Sequence, residues 1–236
     1  DTPTLISSLS NVSSIDAGHS YGFTKYSLAL TNDGKVYAWG RNTYGQLGVG
    51  DTATRNTPTL ISSLINVSNI AAGYEHALAQ TNDGKVYAWG WNHKGQLGVG
   101  DFNNRNRPTL ISGLINPNNI YNEKLYKSIV AGTSNSFALT NDKTTGGTIY
   151  FWGLGGNNKP TRSSSLINVS SIVVGYEHTL ALTNDGKVYA WGRNTYGQLG
   201  VGDTATRNTP TLISSLINVS SISAGANHSL ALTTDG

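Results

Sequence analysis

Asn32-Asp33-Gly34-Lys35-Val36-Tyr37-Ala38-Trp39-Gly40 returns unchanged at residues 82–90 and 184–192. The stretches around Trp39 and Trp191 stay identical onward through Arg-Asn-Thr-Tyr-Gly-Gln-Leu-Gly-Val-Gly-Asp-Thr-Ala-Thr-Arg-Asn-Thr-Pro-Thr-Leu-Ile. Trp39 and Trp89 lie 50 residues apart. A period of this size signals one supersecondary unit stacked on itself. A residue shared by every copy is therefore first an architectural residue. A residue that breaks the pattern is the first functional candidate.

The second copy reads as four strands. Ser68–Gly73 is a short apolar strand, A, and His76–Thr81 is strand B. The Asp83-Gly84 pair between two apolar runs predicts a hairpin with a type I′ turn. Lys85–Gly90, rich in β-branched and aromatic residues, is strand C. A long loop, 91–107, is punctuated by Gly95, Gly98 and Gly100. Pro108-Thr109-Leu110-Ile111 opens strand D, with proline at the first residue, where no ladder donor is needed. No segment keeps a helical period. Four short antiparallel strands per unit is the size of a propeller blade. Small residues in strands such as Ile-Ala-Ala-Gly suit sheets buried on both faces. A parallel β-helix is the rival, but its turns are shorter and seldom contain Asp-Gly hairpins.

Ile-Ala-Ala-Gly-x-x-His-x-Leu-Ala, Asp-Gly-Lys-Val-Tyr-Ala-Trp-Gly-x-Asn-x-x-Gly-Gln-Leu-Gly-x-Gly-Asp and a trailing Pro-Thr-Leu-Ile together resemble the repeat of the regulator of chromosome condensation family. The resemblance covers nearly the whole chain. It implies an all-β fold, a β-propeller of four-stranded antiparallel blades, usually seven in a ring. On this reading residues 1–236 form a single propeller domain with repeats near 11–65, 66–115, 116–167, 168–217 and 218–236. Strands A, B and D each recur five times and strand C four times, with Trp39, Trp89, Trp152 and Trp191. About four complete blades plus split terminal blades are expected, D beginning with Pro3-Thr4-Leu5-Ile6. The absence of methionine predicts a processed chain or a fragment, and the missing fifth strand C with a start inside a loop predicts a natural protein longer at both ends.

Composition narrows function. The chain has 236 residues, of which 12% are charged and 28 are glycine. That is low charge and high glycine for a globular protein. A net charge of +3 is too small and dispersed for a nucleic-acid stripe. Without cysteine there are no disulfides, thiol nucleophiles or thiolate-bound metals. No apolar run approaches the length of a membrane span and no stretch reads as a signal peptide, so this segment is expected neither to span a membrane nor to carry a secretory address.

The recurring polar residues read as architecture. His76, His178 and His228 share a repeat position that Tyr26 and Asn135 occupy elsewhere. A catalytic base would not be exchangeable with tyrosine. The position is expected to tie strand B to the preceding turn, and no metal site is expected, because equivalent positions on successive blades lie too far apart for ligation. Gly45-Gln46-Leu47-Gly48-Val49-Gly50-Asp51 lacks the Gly-Lys-Ser/Thr ending of a phosphate loop and a following helix. The carboxylates all sit at repeated turn positions, so no acid–base pair or activated nucleophile emerges. No catalytic residue and no cofactor are expected. Asn11, Asn66, Asn168, Asn218 and Asn227 head Asn-x-Ser triplets, possible glycan acceptors that duplication explains equally well.

The copies differ on two faces. Antiparallel strands place the A–B and C–D connections on one face of the disc and the B–C and D–A connections on the other. On the first face, the second copy carries Trp91, His93, Lys94, Phe102 and Arg105. Neighbouring copies add Arg41, Tyr44, Arg193 and Tyr196, and the first copy lengthens its A–B connection over 19–25. Aromatic residues and arginine make interface hot spots, so these form the candidate partner-binding surface. On the second face, the third copy expands at 116–127, with Tyr121, Glu123, Lys124 and Tyr126, and again at 141–147. These form a second candidate surface. The third copy also shortens its C–D loop to 154–159.

Two functions follow. The resemblance implies a docking platform, a non-catalytic scaffold for another protein. It also implies, as the alternative, a guanine-nucleotide exchange factor for a Ran-type small GTPase, the founding member's role. Near-identity of the first and fourth copies favours the scaffold, since an exchange face needs blades that differ more. Low charge with abundant asparagine, serine and threonine favours an extracellular or surface setting over the cytoplasm. Neither a membrane nor nucleic acid is an expected partner.

Overall fold

A computed structural model describes residues 2–18, 26–115, 126–142, 146–155 and 157–236. It shows β-propeller architecture. Blade one is β1 (Val12–Ala17), β2 (Tyr26–Thr31), β3 (Val36–Gly40) and β4 (Arg55–Leu60). Blade two is β5 (Val67–Ala72), β6 (His76–Thr81), β7 (Val86–Gly90) and β8 (Arg105–Leu110). Blade three is β9 (Tyr126–Ala131), β10 (Asn135–Thr140), β11 (Ile149–Gly153) and β12 (Asn157–Arg162). Blade four is β13 (Val169–Val174), β14 (His178–Thr183), β15 (Val188–Gly192) and β16 (Arg207–Leu212), and β17 (Val219–Ala224) pairs with β18 (Ser229–Thr233) in a two-stranded sheet. Each four-stranded sheet is antiparallel with its strands in chain order. The A strands β1, β5, β9, β13 and β17 pack successively on one another, which makes them the inner strands and puts the D strands on the rim. Among the described residues no helix is long and apolar enough to cross a membrane.

The core lies between blades. In β6, Ala77 and Ala79 face blade one, whereas Leu78 faces Tyr126 and Ile129 of blade three. Alternating side chains thus put small residues on one face and large ones on the other, so that neighbouring sheets interdigitate. Trp89 of β7 fills the first junction with Leu28, Leu47 and Ile61, and Trp152 of β11 fills the second with Leu97 and Ile111.

Several local expectations are corrected. In the B–C hairpins of blades one, two and four only the glycine has positive φ: 77° at Gly34, 79° at Gly84 and 76° at Gly186. Gly34 N donates to Thr31 O at 2.9 Å, so Asn32 and Asp33 form a type I turn and Gly34 takes the left-handed position after it. Asp33 stays out of that region and instead accepts from Thr31 Oγ1 and Lys35 Nζ, which hold its carboxyl down at about 2. The D strands start earlier than proline suggests, at Arg55, Arg105, Asn157 and Arg207. The proline falls inside them, beside a register shift between Ala88 and Gly90 in blade two. A rim strand with a bulge leaves its outer side unpaired, so the missing N–H costs little there. Residues 2–10 form no strand, because every described C strand already carries its own D strand.

The Asn-x-Ser positions have an architectural reason. Asn11, Asn66, Asn168 and Asn218 have φ of 54°, 54°, 62° and 54°, the left-handed turn that leads into each A strand. Asparagine tolerates this region because its short amide bonds locally. We expect Asn66→Ala to lose roughly 1–2 kcal/mol and Asn66→Gly to be nearly neutral in urea unfolding. Equal losses in both variants would show that the amide matters more than the turn.

Candidate functional site

The C–D loop is built as a clamp. In blade one Asn42 Nδ2 donates to Asp51 O at 3.0 Å and Ala53 O at 3.1 Å, while its Oδ1 accepts from Leu47 N at 2.9 Å. Gln46 Oε1 accepts from Tyr44 N at 2.9 Å. These bonds point the carbonyl of Gln46 at the next blade, where it accepts from Trp89 Nε1 at 2.9 Å. Gln96 does the same for Trp152 at 2.8 Å. Gly48, at φ 70°, lies over the indole, and a Cβ there would sit 2.8 Å from Trp89 Nε1. The glycines therefore serve close approach between blades. Asp51 braces the loop through Ala53 N and Arg55, which lower its carboxyl below the usual range.

The recurring histidine position also crosses the blade boundary, where a bond to the preceding turn was expected. His76 Nε2 lies 2.8 Å from Ser136 Oγ of blade three, and His178 Nε2 lies 3.0 Å from Ser229 Oγ. Tyr26 donates its hydroxyl to the carbonyl of His76. Ser136 spends its only hydroxyl proton on Gln96 O at 2.9 Å. His76 must therefore donate from Nε2, which leaves Nδ1 as the bare nitrogen, buried and without a partner. Burial holds His76 down at about 3 and lowers His178 in the same sense. Among the described residues no group of three or more histidine, aspartate or glutamate side chains could hold a metal.

The A–B and C–D connections share a face, as strand parity requires. Trp91 N donates to Glu75 O at 2.7 Å and Arg193 N to Glu177 O at 2.8 Å. On this face the ring of Trp91 lies 5.9 Å from Tyr44 and stacks at 6.0 Å on His93, making one aromatic strip across blades one and two. Arg41 reaches across the same junction to Glu75 at 3.5 Å. Glu75 is buried, and desolvation raises its carboxyl despite the arginine. Lys94 and the half-exposed Phe102 belong to the same C–D loop as Trp91 and His93. Arg105 is committed to Asp101 at 2.5 Å and braces its own loop. Arg193 and Tyr196 form a separate pair on blade four, with the guanidinium 5.6 Å above the ring.

Of the second candidate surface, Tyr121, Glu123 and Lys124 lie outside the described residues, as do 19–25 on the first face. Tyr126 is described and is no surface residue. It is 2% exposed, and its hydroxyl donates to Leu114 O at 3.0 Å, because the first residue of β9 points into the junction with blade two. Sequence reading missed Glu75. The available signal was its chemistry: glutamate occurs only three times in the chain, and two of those, Glu75 and Glu177, sit at one repeat position.

A family model described as the Regulator of chromosome condensation (RCC1) repeat matches residues 33–80, 83–139 and 185–232, and a second model of that description matches 12–46, 67–96 and 169–198. The ultraviolet-B receptor UVR8 of Arabidopsis thaliana is 33% identical over 198 residues, covering 78% of this chain and 42% of the receptor. The human E3 ubiquitin-protein ligase HERC2 is 33% identical over 221 residues, covering 86% of this chain and 4% of the ligase. Among solved structures, Prp20p of Saccharomyces cerevisiae, described with its binding properties to Gsp1p and histones, superposes with a TM-score of 0.77 at 24% identity. It covers 95% of this chain and 57% of Prp20p. Human WBSCR16 superposes at 0.76 with 24% identity, over 94% of this chain and 57% of that one. The chain thus spans less than half of either curated relative.

Proposed function

Since the chain belongs to the regulator of chromosome condensation repeat family, we propose that it is a non-catalytic scaffold that docks a partner protein on the face of the A–B and C–D connections. The observation that carries this reading is the strip of Tyr44, Trp91 and His93, formed where blade two departs from the repeat. Clustered aromatics beside an arginine have the composition of a binding hot spot. Phe102, 49% exposed, adds an apolar side chain from the same loop, and Lys94 and Arg41 supply charge. Most repeated polar groups hydrogen-bond within their own loop or across a blade boundary, which supports a structural part for them. An extracellular or surface-displayed setting suits the low charge and is part of the proposal.

Capture by the immobilised chain, then titration of the purified partner against Trp91→Ala and Phe102→Ala, tests it. Trp91→Ala is expected to weaken binding by about 2 kcal/mol or more, roughly thirtyfold. Unchanged affinity in both variants excludes this strip.

One observation favours a second reading. Structural likeness to Prp20p, described as binding Gsp1p, makes a guanine-nucleotide exchange factor for a Ran-type GTPase the alternative. Catalysed release of labelled nucleotide from such a GTPase would place it first. The identity of blades one and four through their C–D loops supports the scaffold instead.

A further inference from the structure

The C–D loop of blade three is the one that fails to reach its neighbour. Between C and D strands the chain runs from Gly40 to Arg55 in blade one and from Gly90 to Arg105 in blade two, but only from Gly153 to Asn157 in blade three. Gly156 lies outside the described residues. Where a Gln-Leu-Gly turn closes the first two junctions, the third holds a cavity of about 470 Å³ lined by Phe137, Phe151, Leu154, Glu177, Trp191 and Asn208.

We propose that this cavity is a docking groove for a glycine-rich turn of a partner protein. The turn would carry an aliphatic side chain, with a basic residue on its N-terminal side. The occupied junctions act as the template. There the loop supplies a carbonyl to the indole, from Gln46 to Trp89 at 2.9 Å and from Gln96 to Trp152 at 2.8 Å. It buries Leu47 or Leu97 completely. It pairs with the next D strand, Gly50 N donating to Asn106 O at 2.8 Å and Gly100 N to Asn158 O at 2.8 Å, while Gly50 O accepts from Asn106 Nδ2 at 3.0 Å. At the third junction no such loop bond to Trp191 or Asn208 is found among the described residues. Trp191 is half-buried, packs edge-on against Phe137 at 6.3 Å, and its Nε1 has no hydrogen-bond partner among the described residues. Asn208 stands where Asn106 stands and lines the cavity. Leu154 is 61% exposed at the mouth.

Charge points the same way. Glu177 occupies the position of Glu75, which the loop's Arg41 faces in the first junction. Its carboxylate is 44% exposed and, among the described residues, ion-paired only to Arg193 of its own blade at 2.9 Å. A basic residue preceding the guest's turn would meet it. Main-chain pairing with a rim strand plus one side-chain pocket is a general mode of peptide recognition. This groove is separate from the Tyr44–Trp91–His93 strip and does not depend on it.

The probe is a synthetic peptide of residues 41–51, the chain's own loop, titrated calorimetrically into the full chain. Saturable binding is expected. It should weaken about tenfold or more with Leu47→Ala in the peptide, and about fivefold with Trp191→Phe in the protein, which keeps the ring and removes the donor. Absence of binding at about 1 mM peptide, or binding that either change leaves untouched, overturns the proposal. A second variant replaces residues 154–156 with 91–104. It is expected to lose peptide binding and shield Trp191 from acrylamide quenching. A grafted chain that still binds the peptide as before also overturns it.

Discussion

Alanine at position 89 is expected to destabilise the protein by about 3–5 kcal/mol. Trp89 is fully buried, fills the space between blades one and two, and gives the carbonyl of Gln46 its hydrogen bond. Its removal leaves a cavity and an orphaned acceptor together, and either alone is costly. Trp191→Ala provides the comparison. The same repeat position in blade four lies half-exposed over the groove and holds no hydrogen bond among the described residues. It is expected to cost no more than about half as much, since less apolar surface leaves water there. Urea unfolding followed by circular dichroism separates the two variants. Equal losses would mean that the Gln-Leu-Gly clamp contributes nothing beyond the indole itself.

The second large effect is acid lability. His76 is neutral in the folded state, with its pKa lowered by burial from 6.5 to about 3, and His178 is lowered by burial in the same sense. A folded-state value below the unfolded one means that the unfolded chain binds the extra proton. The stability tied to these neutral rings is therefore fully present above about pH 6.5 and is lost as pH falls below it, for His76 on toward 3. His76 contributes a slope of up to about 1.4 kcal/mol per pH unit in that window, and His178 adds to it in the same direction. Between pH 6.5 and 5 His76 alone should remove roughly 1–2 kcal/mol. Between pH 6.5 and 5 the aspartates do not interfere, because their ordinary value of 3.8, lowered further by pairing in the folded chain, lies below that range. Glu75 acts with the opposite sign, since its raised carboxyl takes up a proton on folding as pH falls. The His76→Asn variant isolates the imidazole, because asparagine already holds this position in blade three as Asn135. Its stability should fall less between pH 6.5 and 5 than that of the parent chain. Parallel curves for parent and variant would place the acid sensitivity elsewhere.

Strand order, face parity and the position of the C strands were legible because their signals are local and repeated. Asp83-Gly84 between two apolar runs needs no distant partner to be read as a hairpin. Reading it as type I′ failed because a three-residue loop with glycine in the left-handed place satisfies the same sequence. Proline misplaced the D strands because its penalty depends on whether a neighbour needs its N–H, and on the rim none does. The exchange of histidine for tyrosine and asparagine marked an architectural position correctly. The partner was out of reach, since His76 meets Ser136 and Tyr26 meets His76 only once two blades are docked. Tyr126 was misread for a related reason. It begins a strand next to an expanded connection, and only the packing of β9 shows which way its ring turns.

The candidate site divides similarly. Departures from the repeat picked out Trp91 and His93 without any coordinates. That Tyr44 joins them, and that Arg105 is spent on Asp101, depends on how loops of adjacent blades lean together. The shortened loop of blade three was visible as a deletion. Its consequence, an uncovered indole beside Phe137, appears only when the missing turn is compared with the two that close the other junctions.

By itself, the amino-acid order determined that this protein is a stack of four-stranded units, because alternation, turn glycines and a fifty-residue echo act over short stretches of backbone. The tertiary structure alone decided which polar atoms are satisfied and which junction is left open. Those outcomes depend on side chains far apart along the chain that meet only across the space between blades.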